Sequence, residues 1–79
     1  MQGNGEAQFS LGWKYYIGIE IPTDKVAAYA WWSIASANSN EDAKKFKATR
    51  LDPIMAPIQV TKAEALVKEM AKKNPKLIK

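Results

Sequence analysis

AQFSLGWKYYIGIEIPTDKVAAYAWWSIASA, residues 7–37, is the stretch that decides the fold. Ala7, Leu11 and Tyr15 recur at a four-residue spacing, which places them on one face of a helix running from about Gly5 to Ile17. Gly18 ends it. The residues from Gly18 to Asp24 read as a turn and a new start, with Thr23 or Asp24 able to accept the first free N–H groups of a second helix. That helix spans about Asp24 to Ala37 and turns Ala28, Trp31, Trp32 and Ala35 inward at steps of three and four. Gly12, Ala28 and Ala35 carry little or no side chain, so the two helices can approach closely while Tyr15 and Trp31 fill the remaining space. The prediction is a tight antiparallel helical hairpin.

Working outward, Ser39-Asn40-Glu41-Asp42 is a second start signal, its acidic residues suited to the positive end of a helix dipole. A third helix is expected to about Ile54, with Ala43, Phe46, Leu51 and Ile54 as its apolar face and Pro53 distorting its last turn. Its outer face is basic: Lys44, Lys45, Lys47 and Arg50. Pro57 suits the first turn of a fourth helix that reaches about Lys73, carries Ala63, Leu66, Val67 and Met70 as a stripe, and stops at Asn74-Pro75. Leu77 and Ile78 follow in a short basic tail, which packs back or frays.

The expected architecture is all-α: four antiparallel helices in two stacked hairpins, a short right-handed α-solenoid. With 79 residues the chain has apolar material for one core, so residues 1–79 read as a single domain. Cysteine and histidine are both absent, which removes disulfides, zinc-finger spacings, thiol nucleophiles and the common near-neutral proton shuttle. No cofactor or metal is expected. No apolar run approaches the roughly 20 residues of a membrane span, and residues 1–6 lack the features of a signal peptide; the compartment stays open. Residues 1–40 hold two basic and three acidic side chains, residues 41–79 ten and five, so the net charge of +4 belongs to the second half.

A shift of 36 residues aligns Asn4 with Asn40, Glu6 with Asp42, Ala7 with Ala43, Gly12 with Ala48, Tyr15 with Leu51, Trp31 with Val67 and Ala35 with Ala71. Small meets small and large apolar meets large apolar, the mark of a two-helix repeat. Ala7, Leu11-Gly12, Tyr15, Gly18, Pro22, Asp24, Ala28, Trp31, Ala35, Asn40 and Ala43 together resemble the signature of Sel1-like repeats, relatives of the tetratricopeptide repeats. The resemblance covers about residues 3–43, with 3–38 as the first unit and 39–79 as a degenerate or capping unit plus tail. Glu20 and Ser39 stand where that family usually has glycine, and Lys47 where the first unit has Leu11. Asn38 is therefore expected to take the left-handed position that ends the second helix, and the loop at Glu20 to be altered.

Helix one carries a second apolar stripe, Phe9, Trp13 and Tyr16. Either it packs against a neighbouring hairpin or, as the resemblance implies for inner helices of such solenoids, it lines a concave ligand surface, where Trp and Tyr are favoured anchors. Tyr29 and Trp32 are secondary candidates. The expected function is a non-catalytic adaptor that binds a protein or peptide through Phe9, Trp13, Tyr16 and Tyr29, with an apolar repeat end open to a second copy. The alternative is a basic module, using the helix-three cations with Lys62, Lys68, Lys72 and Lys73, that touches nucleic acid or an anionic membrane. Neither a glycine-rich phosphate loop nor aromatics interleaved with those lysines supports nucleic-acid binding. For catalysis, Glu41/Asp42 and Glu64/Glu69 lack an apolar pocket, and Ser33 and Ser36 lack a histidine base.

Overall fold

The structure is a computed structural model describing residues 4–77, and among these it contains four α-helices and no strand. Helix α1 spans Asn4–Ile17, α2 Lys25–Ala37, α3 Glu41–Phe46 and α4 Pro57–Lys73. The all-α class and the starts of the helices follow the sequence reading closely, because the start residues are used as chemistry suggests. Asp24 accepts from the Ala27 N–H at 3.0 Å and opens α2. Asn40 accepts from Ala43 at 2.8 Å and opens α3. Pro57 begins α4.

Helix α2 is the centre of the molecule and packs against α1, α3 and α4. Three neighbours can crowd one helix only if its surface is mostly small, and Ala27, Ala28, Ala30 and Ala35 are all buried. Trp32 and Ile34 are fully enclosed with them. Trp31, expected inside, is half-exposed, since the close approach of α1 and α2 is built on Trp32. The Trp32 ring lies against Gly12, where a side-chain carbon would fall well inside van der Waals contact of its Cδ1 and Nε1. Its indole N–H donates to the Phe9 carbonyl at 3.0 Å.

The face that α1 presents to α2 therefore differs from the Ala7/Leu11/Tyr15 face. Gly5, Gln8 and Gly12 are buried, Ala7 is exposed, and Leu11 and Tyr15 are half-buried. Two stripes at helical spacing compete for the interior on α1, and the one beside Phe9 and Trp13 removes more apolar area from water. Gln8 is the buried polar residue of this face, and its hydrogen bonds explain its tolerance there. Its Nε2 donates to the Leu77 carbonyl at 3.0 Å, and the Asn38 Nδ2 donates to both Gln8 Oε1 at 2.7 Å and the Leu77 carbonyl at 2.8 Å. The tail thus packs back at Leu77; Ile78 lies outside the described residues.

Among the described residues three have positive φ: Gly18 at 84°, Glu20 at 68° and Ser39 at 72°. Asn38, expected in the left-handed region, has φ −93°. The reason is the hydrogen-bond pair that closes α2: Ser39 N–H donates to Ser36 O and Asn40 N–H to Ala35 O, each at 3.0 Å. This arrangement requires the left-handed residue one position beyond the last cap, so Ser39 takes it. The altered loop expected at Glu20 is a left-handed Glu20, in the position where the resemblance would place glycine.

The third helix also departs from expectation. It is α-helical only to Phe46, continues as a π-helical turn over Lys47–Leu51, and gives way to a turn before Ile54. Asp52 N–H donates to Lys47 O at 3.0 Å, a five-residue step. Eight residues beyond Ala43 an α-helix would have rotated roughly 80° past two full turns; the wider turn absorbs that excess and brings Leu51 into the core beside Ala43, both fully buried. Ile54 is exposed, and Met55, which the spacing did not single out, is buried in its stead. The same turn separates the environments of Gly12, buried, and Ala48, exposed, although a 36-residue shift superposes them in sequence. In α4 the stripe appears as expected, with Ala63 fully enclosed and Leu66, Val67 and Met70 half-buried.

Candidate partner-binding surface

Phe9, Trp13 and Tyr16 point along one side of α1 and are brought together with Phe46 of α3 over the buried Trp32. Phe9 stacks on Phe46, with ring centres 5.6 Å apart and planes 11° from parallel. Trp13 meets Phe46 at 5.4 Å, Trp32 at 5.5 Å and Tyr16 at 5.5 Å, each steeply inclined. Tyr16 lies 5.5 Å from Trp32. Such offset and edge-to-face contacts are the favoured aromatic geometries and add to the area each ring buries. Phe9, Trp13, Tyr16 and Phe46 remain half-exposed, so each has one edge in the core and one in water. They form a shelf along the line where α1 and α3 meet.

Tyr29 is not part of this shelf. It is buried in α2, with the Lys47 ammonium 5.0 Å over its ring. Burial raises its hydroxyl above the ordinary tyrosine value of 10, and the carboxylates of Asp52 and Glu64 push it further in the same direction. As a nearly enclosed side chain it offers a partner little area. Trp32, the other secondary candidate, is fully buried and supports the shelf from beneath.

Cations border the aromatic rings in a way the sequence did not reveal. The π-helical turn sets Arg50 with its guanidinium carbon 5.0 Å over Phe46 and 5.6 Å over Trp13. Lys47, one turn earlier, covers Tyr29 and donates to Ser33 Oγ at 3.3 Å. Contacts of this kind contribute about 0.5–1 kcal/mol at exposed sites. Periodicity assigned Phe46 to a core face and Arg50 to a solvated one; α3 carries Phe46 to Trp13, and the turn that follows sets Arg50 over both rings. Lys44, Lys45, Lys62, Lys68, Lys72 and Lys73 are all exposed. So are Glu41, Asp42, Glu64 and Glu69, the carboxylates considered for acid–base work. Ser33 faces Lys47, whose ammonium acts as a donor to it.

Among the described residues no group of three or more His, Cys, Asp or Glu is placed to hold a metal ion, and no helix is long and apolar enough to cross a membrane. Compared with protein-family models, characterised proteins and solved structures, the chain matches none of them.

Proposed function

We propose that this chain is a non-catalytic interaction module that binds a protein or peptide partner through the shelf of Phe9, Trp13, Tyr16 and Phe46. The observation that carries the proposal is the half-exposure of four large rings held in fixed geometry by the buried Trp32. Rings immobilised in the free protein lose little further entropy on binding, and Trp and Tyr anchors dominate measured interfaces. The resemblance to Sel1-like repeats supports the same reading. Glu20 and Ser39, at the two positions where that family usually has glycine, are the non-glycine residues with left-handed backbone among the described residues. In this reading α1 and α3 are the inner helices of two successive units, and the shelf follows their common side.

The test is the salt dependence of partner binding, combined with Trp13→Ala and a triple Lys44→Ala, Lys45→Ala, Lys47→Ala variant. An aromatic-anchored contact changes little between low and high salt and is lost in Trp13→Ala, provided that variant retains its helical spectrum. A steep loss of affinity with salt and with the lysine variant, leaving Trp13→Ala unaffected, would overturn the proposal in favour of binding to nucleic acid or an anionic membrane.

A further inference from the structure

The π-helical turn over Lys47–Leu51 places two cations over two ring systems, and they are used differently. Lys47 is half-buried and spends a donor on Ser33 Oγ at 3.3 Å. Arg50 is exposed, and its contacts within the described residues are the rings of Trp13 and Phe46, with no carboxylate bonded to it. A guanidinium has a planar face that rests on aromatic rings and five N–H donors that lie in its plane. With its central carbon 5.0 Å over Phe46 and 5.6 Å over Trp13 and the side chain exposed, the guanidinium keeps N–H donors open to a ligand arriving from water.

We infer that the shelf takes an acidic peptide segment, in which an Asp or Glu carboxylate pairs with the edge of Arg50 and a neighbouring apolar side chain lies on the exposed edges of Trp13 and Phe46. This deepens the peptide-binding reading and rests on it. Charge complementarity selects the occupant: Lys45 is exposed a little over one turn before Arg50 on the same helical segment, so a second carboxylate finds positive charge beyond the first contact. Glu41 and Asp42, which oppose that field, sit at the far end of the segment, about two turns from Arg50, and the nearer Asp52 is engaged on the other side, at the Tyr29 hydroxyl. Because two rings already restrict Arg50, the pair forms with less loss of side-chain freedom than a free surface arginine would suffer. A planar bidentate pair also discriminates between arginine and lysine, which a diffuse positive surface does not.

The experiment uses the full chain, isotope-labelled, with two blocked peptides as probes followed by NMR at physiological salt. The first is acetyl-Asp-Glu-Phe-Asp-Glu-Leu-amide; the second replaces every acid by its amide, acetyl-Asn-Gln-Phe-Asn-Gln-Leu-amide. The expected result is a saturable shift of the Trp13 indole and Arg50 side-chain signals with the acidic peptide, and affinity about ten-fold or more weaker for the amide peptide, as loss of a charge-assisted pair implies. Arg50→Lys, an exposed change that keeps the charge, should weaken the acidic peptide without altering signal dispersion. If both peptides shift Trp13 alike and Arg50→Lys has no effect, the carboxylate inference is overturned while the aromatic peptide-binding reading stands. If the acidic peptide moves only the lysines of α4, or leaves Trp13 unmoved, both fall.

Discussion

Gly12→Ala sets helix propensity against packing, and the structure says which wins. Alanine is favoured over glycine in a helix interior by about 1 kcal/mol, so on propensity alone the variant gains stability. At position 12, however, the added carbon would overlap the ring of Trp32, which is fully enclosed and has nowhere to retreat. Forcing extra volume into a packed core costs about 1–3 kcal/mol. Displacing the ring also draws its N–H away from the Phe9 carbonyl, now at 3.0 Å. Leaving such a donor buried without a partner costs about 1–3 kcal/mol more. After subtraction of the propensity gain, the net loss centres near 3 kcal/mol, within a range of roughly 1–5. For a domain of this size each kcal/mol moves the midpoint by about 4–8 °C, so a fall of about 12 °C or more is expected. Urea and thermal unfolding, followed by far-ultraviolet circular dichroism and tryptophan fluorescence, measure it. Ser10→Ala, at an exposed position of the same helix, isolates the propensity effect and should be neutral or slightly stabilising. A Gly12→Ala protein as stable as the parent would refute the claim that α1 and α2 meet through the Trp32 ring.

Three further outcomes follow from individual residues. Ser39→Gly relieves a left-handed conformation that costs about 1–2 kcal/mol and adds unfolded-state freedom worth about 0.4–1 kcal/mol, so the variant should be stabilised by roughly 0.5–1 kcal/mol; a clear destabilisation in urea would contradict the assigned helix end. Tyr29 should ionise above the ordinary tyrosine value, seen as a late step in phenolate absorbance that Tyr29→Phe removes. Because its folded value is raised, its contribution to stability is complete below about pH 10 and is lost as pH climbs through that folded value; an early step assigned to Tyr29 would sink this. Removing residues 75–79 deprives Gln8 and Asn38 of the Leu77 carbonyl and should cost about 1–3 kcal/mol in urea unfolding, with Gln8→Met in the shortened chain recovering part of the loss.

Helix starts and stops were legible because they depend on local chemistry. Asp24, Asn40, Pro57 and Asn74-Pro75 act on backbone groups within a few residues, and the structure uses them where the sequence placed them. The inward face of α1 was legible only in part: Gly12 was read as a point of close approach, but the Ala7/Leu11/Tyr15 stripe was turned inward. Two stripes run along it at helical spacing, and the decisive residue is Gly12, which periodicity does not count because it has no side chain. The π-helical turn was hidden because Ala43 and Leu51, eight apart, already fall within the broad apolar face of an α-helix, roughly 80° from each other, and only the shared core calls for the wider turn that aligns them. Of the shelf, Phe9, Trp13 and Tyr16 could be read from their spacing; Phe46 and Arg50 join it through tertiary placement alone. The left-handed residue after α2 was missed by a single position, since Asn38 has the side chain for it but the closing hydrogen bonds fall one residue later.

The amide clasp formed by Gln8 and Asn38 on Leu77 draws together two stretches of backbone 69 residues apart. The first turns of α1 and the segment at Leu77 consequently share one edge of the molecule, beside the junction between α2 and α3. A short linker across that edge, with new termini cut in the loop between α1 and α2, should yield a circularly permuted protein that keeps the same interior.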